Sequence, residues 1–174
     1  MKESHLIVVF SLDGQRYGLP LVLVERIIGA AEITPLPKAP EIVLGIINLQ
    51  GKVIPVMNIR KRFGLPDREL SPDHQFIIAK MSERTVALLV ENVIGVMKLS
   101  ENSMVLSDTI TPGMEYVRGV LTCADGLILI CDLDAFLSLE EAKVLSSALN
   151  RKKRRNKDGG NGIRRSPVQV QRVH

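Results

Sequence analysis

The stretch Gly-Ile-Ile-Asn-Leu-Gln-Gly-Lys-Val-Ile-Pro-Val-Met-Asn-Ile-Arg, residues 45–60, decides the fold of this chain. Two apolar runs, 46–49 and 53–57, are divided by Gln50-Gly51-Lys52. Ile46, Ile47, Val53, Ile54 and Val56 are β-branched and suit a pleated sheet, while Gly51 supplies the left-handed backbone of a tight reversal. The stretch therefore reads as a β-hairpin. Pro55 has no N–H to give to a ladder, so it is expected at an edge or a bulge. The same residues mimic a phosphate-binding loop but fail its chemistry. Five residues rather than four separate Gly45 from Gly51, and Val53 rather than Ser or Thr follows Lys52.

Towards the N-terminus, residues 6–12 and 15–21 are strand-like on either side of Asp13-Gly14, a turn signal that makes a first hairpin. Val22, Val24, Ile27 and Ile28 are spaced for either a strand or one to two turns of helix. Three prolines within residues 34–40 form a stiff connector into the central hairpin. Towards the C-terminus, residues 60–64 read as a helical turn ended by Gly64 and Pro66, followed by a polar linker over 67–73. Further strand-like runs lie at 75–80, 85–90, 91–99, 116–122 and 127–130. Ser138-Leu139-Glu140-Glu141 fits a capping box, with Ala142, Leu145 and Leu149 following at helical spacing. With no long helix between the strands, the pairing should be mostly antiparallel. Roughly nine short strands would close into two small barrels dividing near residues 66–73. The expected class is mainly β, with a folded domain over residues 4–149.

Composition sets further bounds. At 174 residues and 45% hydrophobic, the chain has enough apolar surface for one sizeable core or two small ones. Its apolar runs are far shorter than a membrane helix and its first residues lack a signal-peptide layout, so the cytoplasm is the expected location. Residues 151–174 hold nine Lys or Arg and one Asp, whereas residues 1–150 hold 14 basic and 18 acidic side chains. The basic pI belongs to the tail, and residues 150–174 read as a disordered basic segment. Cys123 and Cys131 lack the spacing of a zinc or redox motif and read as free thiols. No cofactor or metal is expected: His5, His74 and His174 have no ligand-like neighbours at metal spacing. Asp132 and Asp134 precede a short apolar run and read as helix caps rather than paired catalytic carboxylates.

Five pieces, in this order and spacing, resemble the CheW family of bacterial chemotaxis coupling proteins. They are Phe10-Ser-Leu with Tyr17-Gly18-Leu, Pro35-Leu-Pro with Pro40, the stretch 45–60, Leu88-Leu-Val-Glu-Asn-Val93, and Leu129-Ile-Cys-Asp-Leu-Asp134. The resemblance covers about residues 5–149 and implies two intertwined five-stranded barrels without catalysis. It also implies an adaptor role, linking the cytoplasmic tips of methyl-accepting chemoreceptors to the regulatory domain of the chemotaxis histidine kinase in an array beneath the membrane. Departures fall where the family usually carries charge: Gln50 stands in place of Arg, and Arg26 in place of Glu within Val24-Glu25-Arg26-Ile27. Asn58 replaces a common Asp. These substitutions imply a partner whose contacting charges differ, because rim charges set partner choice more than affinity.

The candidate partner-binding residues are Val24, Arg26, Asn48, Gln50, Gly51, Ile54 and Val56, although apolar strand residues such as Val24, Ile54 and Val56 are ordinarily core. The rival reading is a small-barrel protein that binds single-stranded nucleic acid through its basic tail. Four Phe, two Tyr and no Trp give little for bases to stack on, so no nucleic acid is expected as a partner. The tail has a further candidate role in weak contact with anionic membrane.

Overall fold

A computed structural model describes residues 6–99, 104–106 and 115–162. Eleven strands and two α-helices follow one another in these segments. The strands are β1 (Leu6–Leu12), β2 (Gln15–Pro20), β3 (Val24–Gly29), β4 (Val43–Leu49), β5 (Lys52–Met57), β6 (Gln75–Lys80), β7 (Thr85–Val90), β8 (Asn92–Lys98), β9 (Met104–Leu106), β10 (Val117–Cys123) and β11 (Gly126–Cys131). Helix α1 (Ile59–Arg62) follows β5, and α2 (Leu139–Gly162) closes the described chain.

The strands form two sheets, ordered β8-β1-β2-β11-β10-β9 and β3-β6-β7-β5-β4. The mainly β, two-sheet architecture is the one expected, with one strand more in the first sheet because of the short β9. Among the described residues neither sheet closes through a ladder between its outer strands. The polar stretch 66–73 does not divide the sheets: it lies between α1 and β6, with strands of the same sheet on both sides. The true division is interleaved. The N-terminal hairpin β1–β2 joins the C-terminal strands, and β3–β7 form a sheet of their own. Sequence order misleads here because β2 recruits β11 and β5 recruits β7 in parallel, the two parallel ladders in otherwise antiparallel sheets.

Period-2 alternation distributes the apolar residues over three interiors. On β1, Val8, Phe10 and Leu12 face the shared core while Ile7 and Val9 face the interior of their own sheet with Leu121, Ile128 and Ile130. On β6, Ile77 and Ala79 face the shared core, whereas Phe76 and Ile78 face the second interior with Ile47, Ile54, Val56 and Ala87. Strands buried on both faces explain why these runs read as continuously apolar. The shared core holds a chain of rings: Tyr17 lies 5.7 Å from Phe10 and 4.5 Å from Phe63, and Phe136 lies 5.8 Å from Phe63 and 6.0 Å from Tyr116.

Arg60 ties the sheets together. At 6% exposure it donates to Asp13 Oδ1 (2.5 Å) in the β1–β2 turn, to Glu91 Oε2 (2.7 Å) between β7 and β8, and to the Pro66 carbonyl (2.7 Å). Helix α2 starts where the capping box places it. Glu141 N donates to Ser138 Oγ (3.1 Å) and Ser138 N donates to Glu141 Oε1 (2.9 Å), with Arg62 on the same carboxylate. The helix runs longer than its apolar spacing predicts, carrying residues 150–162 of the basic stretch beyond Leu149. Residues 163–174 of the expected tail lie outside the described residues.

Candidate functional site

The central hairpin folds as read. Gln50 (φ 54°) and Gly51 (φ 86°) make a two-residue turn with both positions left-handed, closed by the Leu49–Lys52 pair. Asn48 Oδ1 accepts from Gly51 N at 2.9 Å and fixes the turn. Pro55 sits where β5 can spare an N–H, because the parallel ladder to β7 begins only at Val56. Gly45 is required by a close approach: Thr34 and Ile46 exchange hydrogen bonds of 2.9 and 2.8 Å, and a Cβ on Gly45 would lie 2.3 Å from the Thr34 carbonyl oxygen.

The segment left open between helix and strand is β3, an outer strand of its sheet. A bulge between Val24 and Arg26 makes Glu25 the extra residue against β6, so Glu25 and Arg26 do not follow simple alternation and both are exposed. Arg26 Nη2 reaches Gln50 Oε1 at 3.5 Å, the outer limit of a hydrogen bond. Since β3 and β4 are the outermost strands of the sheet, this contact and the Thr34–Ile46 bridge span the seam where a closed barrel would have a ladder.

Of the seven candidate residues, Arg26, Asn48, Gln50 and Gly51 are exposed and come together at this seam, with Val24 half-buried on the same strand as Arg26. Ile54 and Val56 are a correction. At 3% and 0% exposure they fill the second interior beside Phe76 and Ile78, because their alternation on β5 points them inwards. Exposed Ile27 (37%) and Val53 (40%) add apolar surface near the seam.

The cap reading of the two aspartates holds by position for Asp132 and fails for Asp134. Asp132 caps the 3-10 turn Leu133–Phe136 through no side-chain hydrogen bond. Asp134 instead accepts from Ser82 N (2.8 Å) and Ser82 Oγ (2.6 Å), which hold its carboxyl below the ordinary value. Burial pushes the Tyr17 phenol up to about 12 and raises the Cys131 thiol well above its usual range, so neither is poised as a nucleophile at neutral pH. Among the described residues no group of three His, Cys, Asp or Glu is placed to hold a metal, and no helix is long and apolar enough to cross a membrane.

Sequence reading missed the partners of Arg60 and of Arg84. Arg60 meets residues 47 and 31 positions away, and no local spacing announces such pairs.

Comparison with known proteins places these features in a common frame. The pattern of the CheW-like domain matches residues 6–141. "Chemotaxis protein CheW" of Rhizobium meliloti is 31% identical over 137 residues, covering 78% of this chain and 88% of the relative. Its namesake in Thermotoga maritima is 30% identical over 128 residues, covering 74% and 84%. The crystal structure of the scaffolding protein TtCheW from Thermoanaerobacter tengcongensis superposes with a TM-score of 0.72 at 34% identity, over 79% of this chain and 95% of that one.

Proposed function

The chain belongs to the CheW-like family of chemotaxis signalling proteins, and from that premise we propose that it is a non-catalytic adaptor. It couples the cytoplasmic tips of chemoreceptors to the regulatory domain of the chemotaxis histidine kinase, in the receptor array on the cytoplasmic side of the membrane. The observation that carries this reading is the seam. Arg26, Asn48, Gln50 and Gly51 present exposed hydrogen-bonding groups on a rigid two-residue turn, with Val24 beside them, which suits recognition of a protein surface and offers no nucleophile, base or metal ligand set.

The nucleic-acid alternative loses its stacking platform. Of the six aromatic residues, Phe10, Phe76, Phe136 and Tyr17 are buried, and half-buried Phe63 and Tyr116 pack on Phe136. Base stacking is the main sequence-tolerant source of single-strand affinity. Calorimetric titration of the full chain with the kinase regulatory domain, beside a single-stranded oligonucleotide, tests the choice. Saturable kinase binding with a silent oligonucleotide is expected; the reverse pattern overturns the adaptor reading.

A further inference from the structure

The family match ends at residue 141, and beyond it α2 carries Arg151, Lys152, Lys153 and Arg154 in succession. Lys152 lines two recesses against the body. The larger, of about 330 Å³, is walled by Arg84, Lys152 and Lys153 with Val53 and Leu149; the smaller by Lys38, Arg151 and Lys152. Five cations and no carboxylate line the pair. Among the described residues none of the five makes an ion pair, although seven such contacts join other side chains. Arg84 is held in place by donating from Nη2 to Ser146 Oγ at 2.6 Å, yet its Nε is buried with no hydrogen-bond partner. Like charges gathered in a recess raise its potential for anions.

We propose that this recess takes a carboxylate-bearing segment of the protein partner that docks on the neighbouring hairpin turn. The partner's identity rests on the adaptor reading; the chemistry of the recess does not. Val53 pairs across the hairpin with Asn48, so the recess continues the exposed seam site. Val53 and Leu149 give an apolar floor for side-chain stems, which an extended polypeptide uses and a flat layer of headgroups does not. A glutamate on such a segment enters the recess that Arg84 lines, whereas a planar bilayer meets only the outer lysine heads.

The test uses the full chain and its Lys152→Gln/Lys153→Gln variant, with a labelled hexaglutamate peptide, anionic phosphatidylglycerol vesicles, an oligonucleotide and the kinase regulatory domain as probes. Saturable peptide binding is expected, about tenfold weaker in the variant and weaker for both as salt rises from about 50 to about 150 mM. An unchanged thermal midpoint keeps that loss from being one of folding. Absent peptide binding, equal binding by both proteins, or capture of vesicles or oligonucleotide instead of peptide overturns the proposal. Wild-type chain that holds the peptide through the two lysines but ignores the kinase domain leaves the recess standing and sinks the adaptor reading. Kinase binding with peptide binding unaffected by the lysines does the opposite.

Discussion

Arg26 Nη2 lies 3.5 Å from Gln50 Oε1, joining β3 to the β4–β5 turn across the open seam of their sheet. Two positions that the sequence reading singled out for their charge are thus neighbours in space, 24 residues apart in sequence. A Glu at one and an Arg at the other would pair as ions; Arg and Gln keep a neutral acceptor for the cation instead. Gln50→Arg alone places two guanidinium groups together, and in so exposed a site the cost should be under about 1 kcal/mol. Adding Arg26→Glu should recover that loss, giving a coupling of a few tenths to about 1 kcal/mol in a double-mutant cycle of thermal or urea unfolding. On the adaptor reading, the doubly substituted protein should nonetheless bind the kinase regulatory domain and the receptor more weakly. Undiminished affinity would show that these charges do not choose the partner.

Arg60 is a buried polar link between the sheets, with Asp13 on one side and Glu91 on the other. Arg60→Met fills the space but leaves the two carboxylates to the half-exposed Arg68 alone, 3.3 Å from Asp13 and 3.7 Å from Glu91, and should destabilise by about 2 kcal/mol. The hydrogen bond from Arg60 is the first cause holding the Asp13 carboxyl below its ordinary 3.8. A depressed folded value means stability that is fully present above the unfolded value and lost as pH falls through the folded one. Acid titration of unfolding should therefore show a wild-type loss below about pH 4 that is shallower in Arg60→Met. Parallel curves for the two proteins would remove Asp13 from the clamp.

Glu141 shows where sequence stopped being informative. Its reciprocal bonds with Ser138 follow from residues three apart and were legible as a capping box; its pairing with Arg62, 79 residues away, was not. The same division runs through the fold. The hairpins β1–β2, β4–β5 and β6–β7 and the Gln50-Gly51 turn are local and could be read directly. The interleaving of sheets through the β2–β11 and β5–β7 ladders depends on pairings that no local pattern encodes. At the seam, Asn48, Gln50 and Gly51 were visible as turn chemistry, while the bulge at Glu25 that leaves Arg26 free to meet Gln50 was not.

Glu141→Gln tests the composite cap. Burial would raise the Glu141 carboxyl, but Arg62 and the Ser138 N–H overcome it and hold the group below its ordinary 4.5. Its contribution is therefore present above that value and lost in more acid solution. The amide should cost about 1 kcal/mol at neutral pH, and the gap to wild type should narrow on acidification below about pH 4.5. Ser138→Ala should cost a similar about 1 kcal/mol with little pH dependence of its own. Chemical denaturation across the acid range would separate the two.

Ile54 and Gln50 stand four residues apart on one hairpin, yet they serve opposite ends of it. Ile54→Val removes one methylene from the interior shared with Phe76 and Ile78 and should cost about 1 kcal/mol of stability. Val56→Ala, at a site with no exposure, should cost about 2 kcal/mol or more. Neither substitution touches the exposed turn, so both should leave kinase-domain affinity unchanged under conditions where the variants remain folded. Gln50→Ala and Asn48→Ala should do the reverse for binding. Loss of Gln50 removes an exposed acceptor from the proposed docking surface with little effect on the fold. Loss of Asn48 releases the turn by removing the Oδ1 that holds Gly51 N. A binding titration run beside a melting curve for each of the four variants would decide whether the hairpin works by its exposed turn. If the affinity loss tracked Ile54 and Val56 instead, recognition would have to act through the interior of the sheet.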